Sequence, residues 1–178
     1  YIVQDCQAKI LVASPAVRQV ATEMVASIAE CPIRLMFDEA AEGYECFQDV
    51  VAEFPTKPLA AQPRGARMLY SSGTTGRPKG IKPPLDGSDI STPDIVGASV
   101  VGGIFGIGPE HTYLSPAPLY HSAPLGFTTG TQAMGGTVVV MEKFDPIEAL
   151  VCIEKYKVTH SQWVPTMFSR MLKLAPEE

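Results

Sequence analysis

No stretch of this chain is basic enough to seek nucleic-acid phosphate. Its 14 lysines and arginines are scattered among 19 aspartates and glutamates, for a formal net charge of -5, so a polyanion would meet a weakly acidic surface. Paired cysteines are absent too. Cys6, Cys31, Cys46 and Cys152 stand far apart with no CxxC pair. That spacing excludes the tight clusters of zinc sites and disulfide frameworks and points to free, buried thiols in a reducing compartment, the cytoplasm. Long apolar runs are also missing. The longest uncharged run, IVGASVVGGIFGIGP after Asp94, is too short and too rich in glycine for a bilayer span, which takes roughly 20 apolar residues. No signal peptide is visible.

What is present is enough apolar material for a core: 46% of the 178 residues are hydrophobic, ordinary for a folded domain. AKILVAS (residues 8–14) reads as a strand ending at a helix start, with Ser14 as N-cap and Pro15 as first helical residue. Val17, Val20, Ala21, Met24, Val25 and Ile28 follow at helical spacing. In PIRLMF, Ile33, Leu35 and Phe37 alternate as in a strand, so the first third predicts a βαβ unit. Residues 40–54 read as a second, weaker helix, and 55–68, with three prolines and a glycine, as a linker. RMLYS predicts a strand, residues 81–94 a mobile surface segment, and Thr92-Pro93 the start of a glycine-weakened helix.

The last third, within 95–178, alternates clearly. TYLSP, GTVVVM and KVTHSQWV read as strands and HSAPLGFTTGTQAM as a buried helix. Asp145-Pro146 opens a helix through Tyr156, with Ile147, Leu150, Val151 and Ile153 as its apolar side, and Pro165 opens a last one carrying Met167, Phe168, Met171 and Leu172. The expectation is an α/β fold of largely parallel sheets covered by helices. In such sheets ligands collect at the carboxyl ends of the strands.

One loop stands out. LYSSGTTGRPKG, residues 69–80, fails the Walker pattern, because Gly76 is followed by Arg77, Pro78 and Lys79 with no hydroxyl after the lysine. It fails GxGxxG as well, since Gly73 and Gly76 give only GxxG. Its chemistry still suits phosphate. Glycines let backbone N–H groups approach an anion; Ser71, Ser72, Thr74 and Thr75 add neutral donors and Lys79 a point charge. From residue types alone, a solvated hairpin turn with a stray lysine is an equal reading.

The ordered string YSSGTTGRPKG resembles the phosphate-loop signature of the adenylate-forming (acyl-CoA synthetase, AMP-binding) superfamily. YIVQDCQAKILVAS resembles the family's upstream strand and helix, LSPAPLYHSAPLGF its next motif, and VTHSQWVPTMFSRML the strand and helix after that, all in family order. The likeness is nearest to the fatty-acid and aryl-CoA ligase branch. It implies the N-terminal domain of an acyl-CoA synthetase-like fold that activates a small-molecule carboxylate with ATP, the fatty-acid case foremost and an aryl acid the alternative. Coenzyme A would be the co-substrate. Thr74, Thr75, Gly76 and Lys79 would hold the triphosphate, with Ser71, Ser72 and Gly73 shaping the loop.

His121, which on its own reads as a helix-start residue, matches the family position beside the acyl carboxylate, with Gly126 lining the same floor. His160, Trp163 and Pro165 match a strand end where relatives build part of the acyl pocket, although core packing accounts equally for the single tryptophan. Peptide-synthetase relatives carry an aspartate around this motif; LYHSAPLGF has none, which favours an acid without an α-amine. The family's magnesium-binding glutamate would fall after residue 178, as would its ribose-binding aspartate and C-terminal domain. The chain therefore reads as an internal piece of the large N-terminal domain, inactive alone. A stand-alone ATP- or phosphate-binding module without catalysis is the competing reading.

Overall fold

The computed structural model describes residues 1–71, 76–92 and 99–175, and the chain divides into two compact units, Tyr1–Ile90 and Ser91–Glu178. In the first, a one-turn helix α1 (Ile2–Asp5) precedes strand β1 (Ile10–Ala13). A 3-10 turn (Pro15–Val17), helix α2 (Arg18–Glu23) and a second 3-10 turn (Val25–Ile28) lead to β2 (Ile33–Met36). β1 and β2 pair in parallel, Ile10 opposite Ile33, so the βαβ expectation holds. The single predicted helix is three pieces instead. Val17 leaves helical geometry at φ -117°, ψ 18°, which shifts the phase of the apolar stripe. Ala21 and Ile28 are buried, whereas Val17 and Val20 face solvent.

The predicted helix over 40–54 is shorter than expected. Gly43 turns at φ 76°, with Val25 only 2.7 Å from where a Cβ would stand, so no other residue fits without strain. The turn delivers Tyr44 into the core, where its hydroxyl donates to the Ala21 carbonyl at 3.1 Å. Strand β3 (Glu45–Cys46) then adds in parallel to β2, and only afterwards does helix α3 (Phe47–Ala52) begin. Further on, β4 (Leu69–Tyr70) and β5 (Gly80–Ile81) form a separate antiparallel pair. At its base, the Arg64 N–H donates to the Ser88 carbonyl and the Ile90 N–H to that of Gln62.

The second unit is a three-stranded parallel sheet in the order β7-β6-β8: β6 (Thr112–Ser115), β7 (Thr137–Val140) and β8 (His160–Ser161). β8 is shorter than the KVTHSQWV run suggested. Successive side chains leave a strand on opposite faces, and the two cores follow from that. Tyr113 and Val138 pack with Val101, Ile107, Phe127 and Met134 on one face; Leu114 and Val139 pack with Met141, Ala149, Ile153 and Trp163 on the other. Helix α4 (Ser122–Ala133) covers the first face and α5 (Pro146–Lys155) the second; α6 (Pro165–Met171) follows β8. The uncharged run continues as a π-helix over Ser99–Ile104; the start expected at Thr92-Pro93 lies largely outside the described residues.

Of the expected apolar side of α5, only Ile153 turns inward. Ala149 is fully buried, with Cys152 and Ile153 packed beside it, while Ile147, Leu150 and Val151 point outward. In α6 the inward residue is Met167; Phe168 and Leu172 are exposed. The start of α5 is as the sequence predicts. Asp145 Oδ1 accepts from the N–H groups of Ile147 and Glu148, each at 3.0 Å, with Pro146 at N1. Asp145→Ala is therefore expected to lower stability by about 1 kcal/mol, read as a shift in urea midpoint, with Asp145→Asn retaining most of it.

The Tyr113 hydroxyl is buried and unpartnered; the Gln162 backbone lies near it without completing a hydrogen bond. Burial pushes this phenol up to about 12 from its ordinary 10.0. The folded chain keeps a proton that the unfolded chain releases, so this contribution to stability is complete below the ordinary value and is lost as pH rises through the raised one. Tyr113→Phe should leave neutral-pH stability within about 1 kcal/mol while making the alkaline loss smaller than in the wild type. Urea titrations on either side of the ordinary phenol range measure the difference.

Candidate functional site

The loop of residues 69–80 is carried by the β4–β5 hairpin, with Tyr70 opposite Gly80. Beyond the strands the hairpin is latched once more. The Ser71 N–H donates to the Lys79 carbonyl at 2.9 Å, and the Lys79 N–H donates to Ser71 Oγ at 3.1 Å. Ser71 thus closes the neck of the loop, using its oxygen as an acceptor. Gly80 sits against the ends of the Met68 and Tyr70 side chains, which leaves no room for a side chain in that leg. Ser72, Gly73, Thr74 and Thr75 lie outside the described residues.

Gly76 and Lys79 are exposed, and nothing lies within 4 Å of where a Gly76 Cβ would stand. Open space over a glycine in a loop with a closed neck and an exposed lysine suits a phosphate chain, because an anion can approach the glycine backbone closely and a mobile ammonium can reach toward it. Pro78, half-buried, accepts at its carbonyl from the Tyr1 hydroxyl at 3.2 Å. The Tyr70 hydroxyl donates to Asp5 Oδ2 at 2.6 Å. That bond to a carboxylate holds the phenol proton, raising Tyr70 well above its ordinary range. Nothing local in the sequence signals this bond between residues 65 positions apart.

The other expected site residues, His121, Gly126, Trp163 and Pro165, belong to the second unit. His121 is the N-cap of α4, its carbonyl accepting from the Leu125 N–H, and its exposed ring leans on Tyr120 at 4.4 Å between centroids. Gly126, one turn along, again leaves open space where a Cβ would stand. Trp163 is engaged in packing, with ring contacts to Phe144 and Phe168 at 6.0 Å each. Pro165 is the exposed first residue of α6.

The histidines separate by what their rings touch. His160 Nε2 faces the Phe105 carbonyl at 3.0 Å and so carries the hydrogen, since a carbonyl only accepts; its Nδ1 meets Thr159 Oγ1 at 2.9 Å. His111 Nδ1 accepts the Gly108 N–H at 3.0 Å. That nitrogen is therefore unprotonated, and the Glu110 carboxylate 3.3 Å away is a neighbour and not a bonded partner. Both rings hold the segment before β6 in place, whereas His121 keeps its ring in solvent. Among the described residues no group of three or more His, Cys, Asp or Glu side chains could hold a metal ion. Also among them, no helix is long and apolar enough to cross a membrane. The four cysteines are free, Cys31 buried and the others half-buried.

A model of the family described as AMP-binding enzyme matches residues 1–178. The chain is 34% identical over 123 residues to 4-coumarate–CoA ligase-like 6 of Arabidopsis thaliana, which covers 68% of this chain and 22% of that relative. Peroxisomal benzoate–CoA ligase from the same plant is 38% identical over 104 residues, 58% of this chain and 17% of the relative. Among solved structures, ATP-bound MatB from Rhodopseudomonas palustris matches with a TM-score of 0.71 and 26% identity, over 99% of this chain and 33% of that one. The chain spans about a fifth of the length of the curated relatives it matches.

Proposed function

We propose a function from one premise: the chain belongs to the AMP-binding enzyme family. In the protein that carries it, this segment grips the triphosphate of ATP while a carboxylic acid is activated to an acyl adenylate and then passed to the thiol of coenzyme A. The observation that carries this reading is the latched hairpin, with Ser71 closing the neck and Gly76 and Lys79 open to solvent. A carboxylate is a poor electrophile. Attack of its oxygen on the α-phosphorus breaks the bond to pyrophosphate; the thiol sulfur then attacks the carbonyl carbon of the mixed anhydride, forming the thioester as the C–O bond to AMP breaks and the thiol proton passes to solvent.

The chain's own part in the first step is electrostatic. Negative charge gathers on the departing pyrophosphate, and Lys79 with the loop's N–H and hydroxyl donors, Thr74 and Thr75 among them, would hold it. Magnesium, when bound, would spread that charge further, through ligands other than a cluster of these described residues. On the acid side we assign His121 to the carboxylate, because its ring, unlike those of His111 and His160, is not spent on the fold. Gly126 would line the same floor, and Trp163 and Pro165 would border the acyl pocket, Trp163 chiefly by packing.

The substrate is an acid without an α-amine, and the aromatic acids in the relatives' names favour an aryl acid over a fatty acid. ATP–pyrophosphate exchange on the full-length protein, with aryl, fatty and amino acids in turn, tests both statements. Exchange is expected with an aryl or fatty acid and not with amino acids. A folded protein that binds ATP and exchanges with no acid would replace this reading by that of a binding module.

A further inference from the structure

The β4–β5 hairpin shares no strand pairing with the β1-β2-β3 sheet of its own unit. Even with its added bonds at Arg64–Ser88, Gln62–Ile90 and Ser71–Lys79, a hairpin outside a larger sheet is marginal by itself, so the open loop at its end gains from support elsewhere. That support comes from the first turn of the chain. The Tyr70 hydroxyl, on the incoming leg, donates to Asp5 at the C-terminal end of α1. On the outgoing leg the Pro78 carbonyl accepts from the Tyr1 hydroxyl, and the Arg77 guanidinium lies 5.3 Å from the centroid of the Tyr1 ring. Tyr1 caps the N-terminus of the same helix. One helical turn advances about 5.4 Å, and α1 uses that length to reach both legs. Its back is tied to the βαβ layer, where Gln4 Nε2 donates to the Ser27 carbonyl at 2.5 Å.

We propose that Tyr1, Asp5 and Tyr70 are positioning residues: through α1 they hold the two legs of the hairpin at one spacing, so that the Ser71–Lys79 latch stays closed and the Lys79 backbone stays fixed. None of the three touches the phosphate in this scheme; each acts through the backbone of residues 70–71 and 77–79. The benefit of the brace to ATP rests on the reading of this loop as a phosphate grip. The brace itself does not.

The experiment has two arms. In the 178-residue chain, amide hydrogen exchange in a peptide covering residues 76–81 reports the latch directly. Tyr70→Phe and Asp5→Ala should each speed it about fivefold, the loss of one ordinary hydrogen bond, while Asp5→Asn, whose amide oxygen still accepts, should restore slow exchange. In the full-length protein the same two losses should raise the KM for ATP by about the same factor. The KM for the acid and kcat should change little, and Asp5→Asn should again be near wild type. A general weakening of the fold would not divide the parameters in this way. Unchanged exchange over residues 76–81 in Tyr70→Phe and Asp5→Ala would overturn the brace, as would an unchanged KM for ATP in an active protein. If the wild type shows no ATP-dependent reaction, the functional reading fails and the exchange arm alone decides the brace.

Discussion

Replacing Lys79 by alanine in the full-length protein is expected to lower kcat/KM for carboxylate-dependent ATP–pyrophosphate exchange about 100-fold, the scale of one preorganised donor at a site of developing charge. The lysine is exposed in the structure, so in water its attraction for an anion is weak. It strengthens when bound phosphates displace solvent from the loop and the effective dielectric falls. The latch matters here because Lys79 is itself one of its two residues: its N–H and carbonyl are both fixed by Ser71, so only the side chain remains to be ordered. Lys79→Arg keeps the charge but spreads it over a planar fork and should recover part of the loss. A Lys79→Ala protein with undiminished exchange would remove this lysine from the phosphate site. Loss in Lys79→Ala beside a wild-type unfolding midpoint places the effect in the chemistry.

The largest effect on stability is expected from Leu114→Ala. Leu114 is wholly buried in the middle of β6, against Met141 and Ala149, and truncating a leucine in such a place costs about 2–5 kcal/mol, the spread reflecting how far the cavity can collapse. The readout is built in. Trp163, the single tryptophan, packs on the same cluster, so its fluorescence in a urea titration follows the core that the mutation opens. Ile147→Ala is the matching control. Ile147 lies on the outward side of α5, and its loss should fall within about 0.5 kcal/mol. Equal effects of the two changes would mean that α5 faces the sheet with its other side.

That pair of residues shows where sequence reading stops. Ile147, Leu150 and Val151 are spaced i, i+3, i+4, and so are Ala149, Cys152 and Ile153. Both stripes satisfy helical periodicity, and hydrophobicity alone favours the first. The sheet takes the second, with the small Ala149 fully buried against it. In the same way, nothing in the composition of residues 40–54 requires the helix to wait until Phe47. The delay comes from Tyr44, whose ring enters a core built by Ala21 and Met36, and Gly43 is the residue able to make the turn that allows it.

The site divides along the same line. The loop's inventory of glycines, hydroxyls and lysine is legible in the sequence, and it is the inventory that the proposed phosphate grip needs close together in the chain. Its residues Ser72 to Thr75 lie outside the described residues, so for them the sequence remains the whole of the case. The brace from Asp5 to Tyr70 left no trace in the sequence, and neither did the engagement of His111 and His160 by backbone partners.

By itself, then, the sequence determined the alternation of strands and helices and the Asp145-Pro146 helix start, because backbone sterics, capping and periodicity act over a few residues. The tertiary structure alone decided which helix faces are inward, which histidine keeps a free ring and what holds the loop. Each of those depends on a partner tens of residues away, and only folding chooses which one.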